Sequence, residues 1–339
     1  MNHPTNQHDG VLLSGLDGSN PLAFLAAMGT FRTIARAWLD QPVAMSWAVQ
    51  RGMWSPSIHM RKPMTETFVI DTLVQSLRTD AAKHPIAFMT KGGRGGDKEG
   101  TKKAKKGKQL PARSAGGDAA STEQATICPD IAKFFSERAG QSTPADREAL
   151  DWLSAMTSDL APDTTSQLQT ARRDYFWGNL ESVMKLCEPK HLCRTLFQPW
   201  DYADPLDNQS LHIEPSEDRR HAHQWSQPSG DPDRQRRGGM LGANRLAIEA
   251  FPFFQSVAQG NKLATRGFFG RRTDDTRWTW PLWDCPIGAD VVASLLALAD
   301  LQPDSPRHRS LAARGIKAVF RCRRILVGKT PNFTPAMAV

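Results

Sequence analysis

Apolar positions recur at helical spacing between residues 21 and 39, where Phe24, Leu25, Met28, Phe31, Ala35 and Trp38 form a broad face behind an Asn20-Pro21 start. Asn caps helix N-termini well and Pro suits the first turn, so this stretch predicts a buried helix. Residues 43–49 and 54–60 read as two short paired strands, with Gly52 supplying the positive φ of a tight hairpin. A second helix is expected over 65–83. Further helical stretches cover about 127–139, 144–158 and 166–197, the last with a break expected at Pro189. Helical spacing returns at 244–255 and 287–301, whereas 263–269 and 277–282 look like strands. Residues 316–327 fit either a helix or a strand.

These segments are interrupted twice. Residues 91–120 hold Gly92-Gly93-Arg94-Gly95-Gly96 and Lys102-Lys103-Ala104-Lys105-Lys106, with too little apolar surface to offset the entropy of ordering. They are expected to form a mobile basic loop. Residues 199–239 are polar and rich in Asp, Pro and Arg, a length of irregular chain that is commonly functional or disordered. The expected fold class is α+β, predominantly helical, with short antiparallel strands and a long basic disordered insertion. Its parts are an N-terminal α+β region (1–90), the Lys/Gly-rich loop (91–120), a helical region (121–198) and a C-terminal α+β region with an Arg-rich tail (199–339). No window approaches the roughly 18 uninterrupted apolar residues of a membrane span. The first ten residues lack the pattern of a secretory signal, and five scattered cysteines fit reduced thiols, so a cytoplasmic location is expected.

Charge changes the picture. Residues 91–113 contain nine Lys/Arg against two acids, and 305–339 contain eight against none. Those windows hold 17 of the 43 basic residues but only 2 of the 35 acidic ones, so the remainder carries about −7. The formal +8 is thus an asymmetry, which points to a polyanion as partner. Candidate phosphate-binding residues in the loop are Lys102, Lys103, Lys105, Lys106 and Lys108. A second set interleaves Arg266, Arg271, Arg272 and Arg277 with Phe268, Phe269, Trp278 and Trp280, a mixture of phosphate donors and stacking faces. Two readings of those aromatics stay open, core or contact. The tail adds Lys317, Arg321, Arg323, Arg324 and Lys329; were it helical, Arg321 and Arg324 would share a face with Lys317.

Catalytic formulas are missing: there is no Walker-type loop, nucleophile elbow or zinc-protease motif, and Gly238-Gly239-Met240-Leu241-Gly242 reads better as helix capping. Two weak metal constellations remain. Glu214, Glu217, Asp218, His221 and His223 would, as a metal-dependent nuclease centre, activate water beside Arg219 or Arg220. Cys187, His191 and Cys193 lack a fourth ligand at zinc spacing. No catalytic residue, metal or cofactor is assigned.

Four patterns taken in order carry a family resemblance: residues 12–29, LLSGLDGSNPLAFLAAMG; Leu196-Phe197-Gln198-Pro199-Trp200; residues 242–250, GANRLAIEA; and Trp280-Pro281-Leu282-Trp283. Together they resemble type I-G (earlier I-U) CRISPR-associated proteins, in particular the smaller large-subunit-like component of Cascade-type complexes. The resemblance implies a non-catalytic subunit of an RNA-guided effector. Its partners would be the complex bearing the guide RNA, target double-stranded DNA beside the flanking motif, other effector subunits and a recruited helicase-nuclease, with no membrane involved. The competing expectations are the metal-dependent nuclease and a protein-interaction scaffold.

Overall fold

The computed structural model describes residues 10–85, 143, 147–156, 166–170, 173–206, 209–214, 238–259, 262–270, 276–327 and 330–339. Its elements, numbered in chain order, are β1 (Val11–Leu12), α1 (Pro21–Ala37), β2 (Ala44–Gln50), β3 (Met53–His59), α2 (Glu66–Ser76), α3 (Arg147–Met156), α4 (Arg173–Leu186), α5 (Pro189–Phe197) and α6 (Leu241–Ala250). They continue with β4 (Ser256–Gln259), β5 (Lys262–Thr265), β6 (Phe268–Phe269), β7 (Thr276–Trp283), α7 (Ala289–Leu296), α8 (His308–Ala312), β8 (Ile316–Val327), β9 (Thr330–Phe333) and β10 (Met337–Ala338). Helices and short antiparallel strands are mixed, as the α+β reading anticipated. The expected Lys-rich loop and the helix at 127–139 lie outside the described residues.

Helix α1 begins where the sequence signals it: Asn20 Oδ1 accepts from the N–H groups of Leu22 (2.9 Å) and Ala23 (3.1 Å), and Pro21 occupies the first turn. Residues 21 to 34 of α1 are all buried, and so is every residue of α6. Helices buried on nearly every side sit at the centre of a core, and these two pack on each other. The contact needs Gly29, because a Cβ there would stand 1.8 Å from the Leu246 carbonyl oxygen of α6.

On its other side α1 meets both larger sheets. Phe24 stacks against Trp47 of β2 (centroids 5.8 Å apart) and Trp280 of β7 (5.4 Å), with Trp278 at its edge. The smaller sheet has strand order β1-β3-β2, all antiparallel. Its hairpin turns at Arg51 and Gly52, both at positive φ, which is the geometry that favours Gly at the second position. The larger sheet runs β10-β8-β7-β6, with β9 also on β8. A bridge between Met45 and Ile287, and a bond from Trp283 Nε1 to the Met45 oxygen (2.7 Å), join the two sheets. Residues from both the 1–90 and the 199–339 windows therefore enter one core.

Several expected elements are cut short for visible reasons. The helix at 65–83 stops at Ser76, and Asp80 then caps a separate 3-10 turn by accepting from the Ala82 N–H (3.0 Å). The 166–197 stretch is not continuous: Ser166 to Thr170 are not helical, and Pro189 opens α5. Gly267, at φ +79°, separates β5 from β6 within the single strand expected at 263–269. Residues 316–327 form a strand, β8. No described helix is long and apolar enough to cross a membrane.

Candidate nucleic-acid interface

The larger sheet separates the basic–aromatic constellation by face. Side chains alternate along a strand and antiparallel partners share a side, so the register of β6, β7 and β8 decides what each residue meets. On the core face lie Trp278 opposite Cys322, Trp280 opposite Phe320, and Phe268 stacked on Trp278 (5.7 Å). Trp278, Trp280 and Trp283 are fully buried, which settles them as core. On the outer face Phe269 pairs with Arg277, and Arg277 in turn with Arg323. One row across three strands thus holds an aromatic ring and two guanidinium groups.

Around that row the arginines have distinct fates. Arg321 is buried on the outer face; its Nε donates to Thr279 Oγ1 (3.0 Å) and its Nη2 to the carbonyls of Leu301 (2.7 Å) and Pro303 (2.9 Å). Burial, and then the neighbouring Arg277 charge, push its pKa down. By holding the 301–303 backbone against the sheet, Arg321 positions Asp304, whose carboxylate pairs with Arg277. Arg323 is exposed, and among the described residues no group pairs with its guanidinium; its backbone N–H donates to Thr334 Oγ1 (3.0 Å). Lys317 pairs with Asp284 at 3.0 Å.

Strand geometry decides between the two alternatives left open for the tail. With a period of two, Lys317, Arg321 and Arg323 face outward while Arg324 faces inward. Arg324 is 2% exposed and donates to the carbonyls of Gln167 (3.2 Å) and Gln169 (2.8 Å), so it anchors chain at the core. Arg266 is likewise engaged internally, with Nη1 on the Phe253 carbonyl (3.0 Å) and Nη2 on Gln255 Oε1 (3.3 Å); burial lowers its pKa. Lys102, Lys103, Lys105, Lys106, Lys108, Arg271, Arg272 and Lys329 lie outside the described residues.

Asp304 had no signal in the sequence. It sits in a Pro303-Asp304-Ser305-Pro306 turn, and nothing local links it to Arg277, 27 residues upstream.

The proposed metal constellations are built differently from a metal centre where they can be seen. Glu214 is half-buried and accepts from Asn20 Nδ2 (3.2 Å) and the Tyr202 hydroxyl (2.6 Å), which ties it to the cap of α1. Its companions Glu217, Asp218, His221 and His223 lie outside the described residues. His191 Nδ1 accepts from the Glu188 N–H (2.9 Å), and burial pushes the Cys187 thiol up to about 12. Among the described residues no group of three or more His, Cys, Asp or Glu side chains could hold a metal ion.

A second concentration of charge is internal. Glu249 of α6 accepts from Arg245 Nη1 (2.8 Å), lies 3.2 Å from His84 Nε2, and faces Arg32 of α1 at 4.0 Å. Arg245 also donates to the Arg78 carbonyl (3.1 Å), and Arg32 stands over the Trp152 ring at 5.7 Å. Burial opposes the Glu249 charge, yet Arg245 and His84 overcome it and hold the carboxyl well below its ordinary range. This cluster locks α6 to its neighbours.

The four sequence patterns prove to be mutual packing partners. Gly15 N–H donates to the Leu196 oxygen (2.8 Å), Trp280 Nε1 donates to the Gly18 oxygen (2.9 Å), and Gly29 lies directly against the Leu246 carbonyl. No protein-family model, curated protein or solved structure matches this chain.

Proposed function

We propose that this protein is a non-catalytic nucleic-acid-binding subunit of a type I CRISPR effector complex. In that role it contacts target duplex DNA near the flanking motif and aids strand opening, working in the cytoplasm beside the subunits that carry the guide RNA and a recruited helicase-nuclease. The observation that carries the nucleic-acid part is the segregation of basic charge into residues 91–113 and 305–339 over a body of opposite sign. Arg323, exposed on the sheet beside Arg277, supports it, because phosphate contacts require reach and charge more than a fixed register. The effector setting rests on the resemblance of the four patterns. Their residues pack on one another, in keeping with a subunit that positions nucleic acid and leaves cleavage to another protein.

Nuclease-free tagged purification from the native host tests this reading, with sequencing of bound RNA and mass spectrometry of bound proteins. RNAs sharing repeat-derived ends, together with several protein subunits, are the expected result. Recovery of the protein without such RNA would overturn it.

A further inference from the structure

We infer that the outer face of the larger sheet is a binding site for single-stranded nucleic acid, with Phe269 as the base-stacking platform, Arg277 and Arg323 as phosphate ligands, and Asp304 as an internal competitor for Arg277. It rests on the polyanion-binding reading and names the form of nucleic acid.

The geometry carries the argument. Phe269 is 55% exposed, a large aromatic left in water at the sheet edge, and no other ring among the described residues packs on it. Its neighbour Phe268 is held on the opposite face by Trp278 and Phe333. Adjacent strands are about 5 Å apart, so the row from Phe269 through Arg277 to Arg323 spans about 10 Å. An exposed ring beside two cations matches a base and its flanking phosphates. Duplex DNA offers no unstacked base to such a ring, whereas a single strand does. Asp304 already occupies the place of a phosphate on Arg277, and Arg321 holds the backbone just before it in position. A bound strand must therefore displace a carboxylate before it can use both arginines.

Fluorescence anisotropy of the full chain with a labelled oligo-dT of about 15 nucleotides, beside a duplex of the same length, tests this. Phe269→Ala is expected to weaken single-strand binding about tenfold, with Phe269→Trp retaining it and duplex affinity unchanged. Arg323→Gln should lower the log–log salt slope on the single strand by about 0.7. Asp304→Asn should tighten binding, a gain that a misfolded variant cannot produce. Single-strand affinity that is equal in the wild type and Phe269→Ala, or that does not rise in Asp304→Asn, overturns the site. A wild-type chain that binds duplex alone overturns the site and leaves the polyanion reading standing. One that binds neither form removes both.

Discussion

Trp280 donates its indole N–H to the carbonyl oxygen of Gly18 at 2.9 Å, joining two residues 262 positions apart. Trp280 belongs to the Trp-Pro-Leu-Trp pattern of β7 and Gly18 to the loop that caps α1. The bond closes the larger sheet onto the central helix, next to the Phe24–Trp280 stack.

Replacing that donor should loosen this junction. Trp280→Phe keeps an aromatic ring but leaves the buried Gly18 oxygen without this partner, a loss of about 1–3 kcal/mol. Urea unfolding followed by circular dichroism measures it. A midpoint equal to that of the wild type would show that the bond adds nothing to stability.

The Glu249 cluster makes stability depend on pH. A carboxyl held below its ordinary value of 4.5 releases its proton more readily when folded than when unfolded. Its contribution is therefore complete above that value and is lost as the pH falls below it. Glu249→Gln should remove this acid-side dependence and, by leaving Arg245 and Arg32 uncompensated, cost about 3–5 kcal/mol at neutral pH. Thermal melts of both proteins between acid and neutral pH check the sign; parallel profiles would contradict it.

Thiol labelling reports on the core. The four described cysteines are free, with Cys285 exposed and Cys322 buried. Burial pushes Cys187 up to about 12 and Cys322 well above its ordinary range, and thiolate rather than thiol reacts with alkylating reagents. Among these four, iodoacetamide at pH 8 should label Cys285 first and leave Cys187 and Cys322 unmodified in the native protein. Mass spectrometry reads the order, and prompt modification of Cys322 would mean that the β7–β8 core opens readily.

Local chemistry made much of this fold legible. Asn20-Pro21 marked the start of α1, Gly52 the hairpin and Pro189 the break before α5, because capping, positive φ and a missing N–H act within a few residues. Residues 316–327 were ambiguous for a physical reason. Arg324 stands on the core face, where a strand pattern calls for an apolar side chain, and only the carbonyls of Gln167 and Gln169, more than 150 residues away, make that burial tolerable. The candidate site was legible as a mixture of basic and aromatic residues but not as a surface. Which rings were core depended on Phe24 and Phe333, and the pairing of Arg277 with Asp304 depended on Arg321 holding a distant turn.

The central claim is that this chain binds nucleic acid through its segregated basic residues, and its most direct test is the salt dependence of binding. Full-length protein is titrated onto labelled duplex DNA across a range of salt concentrations, alone and with Lys102, Lys103, Lys105 and Lys106 all replaced by Gln. A steep fall of log K with log salt is expected, with a slope reduced by about 0.9 for each phosphate contact those lysines make. No binding at low salt, or the same slope in both proteins, would contradict it.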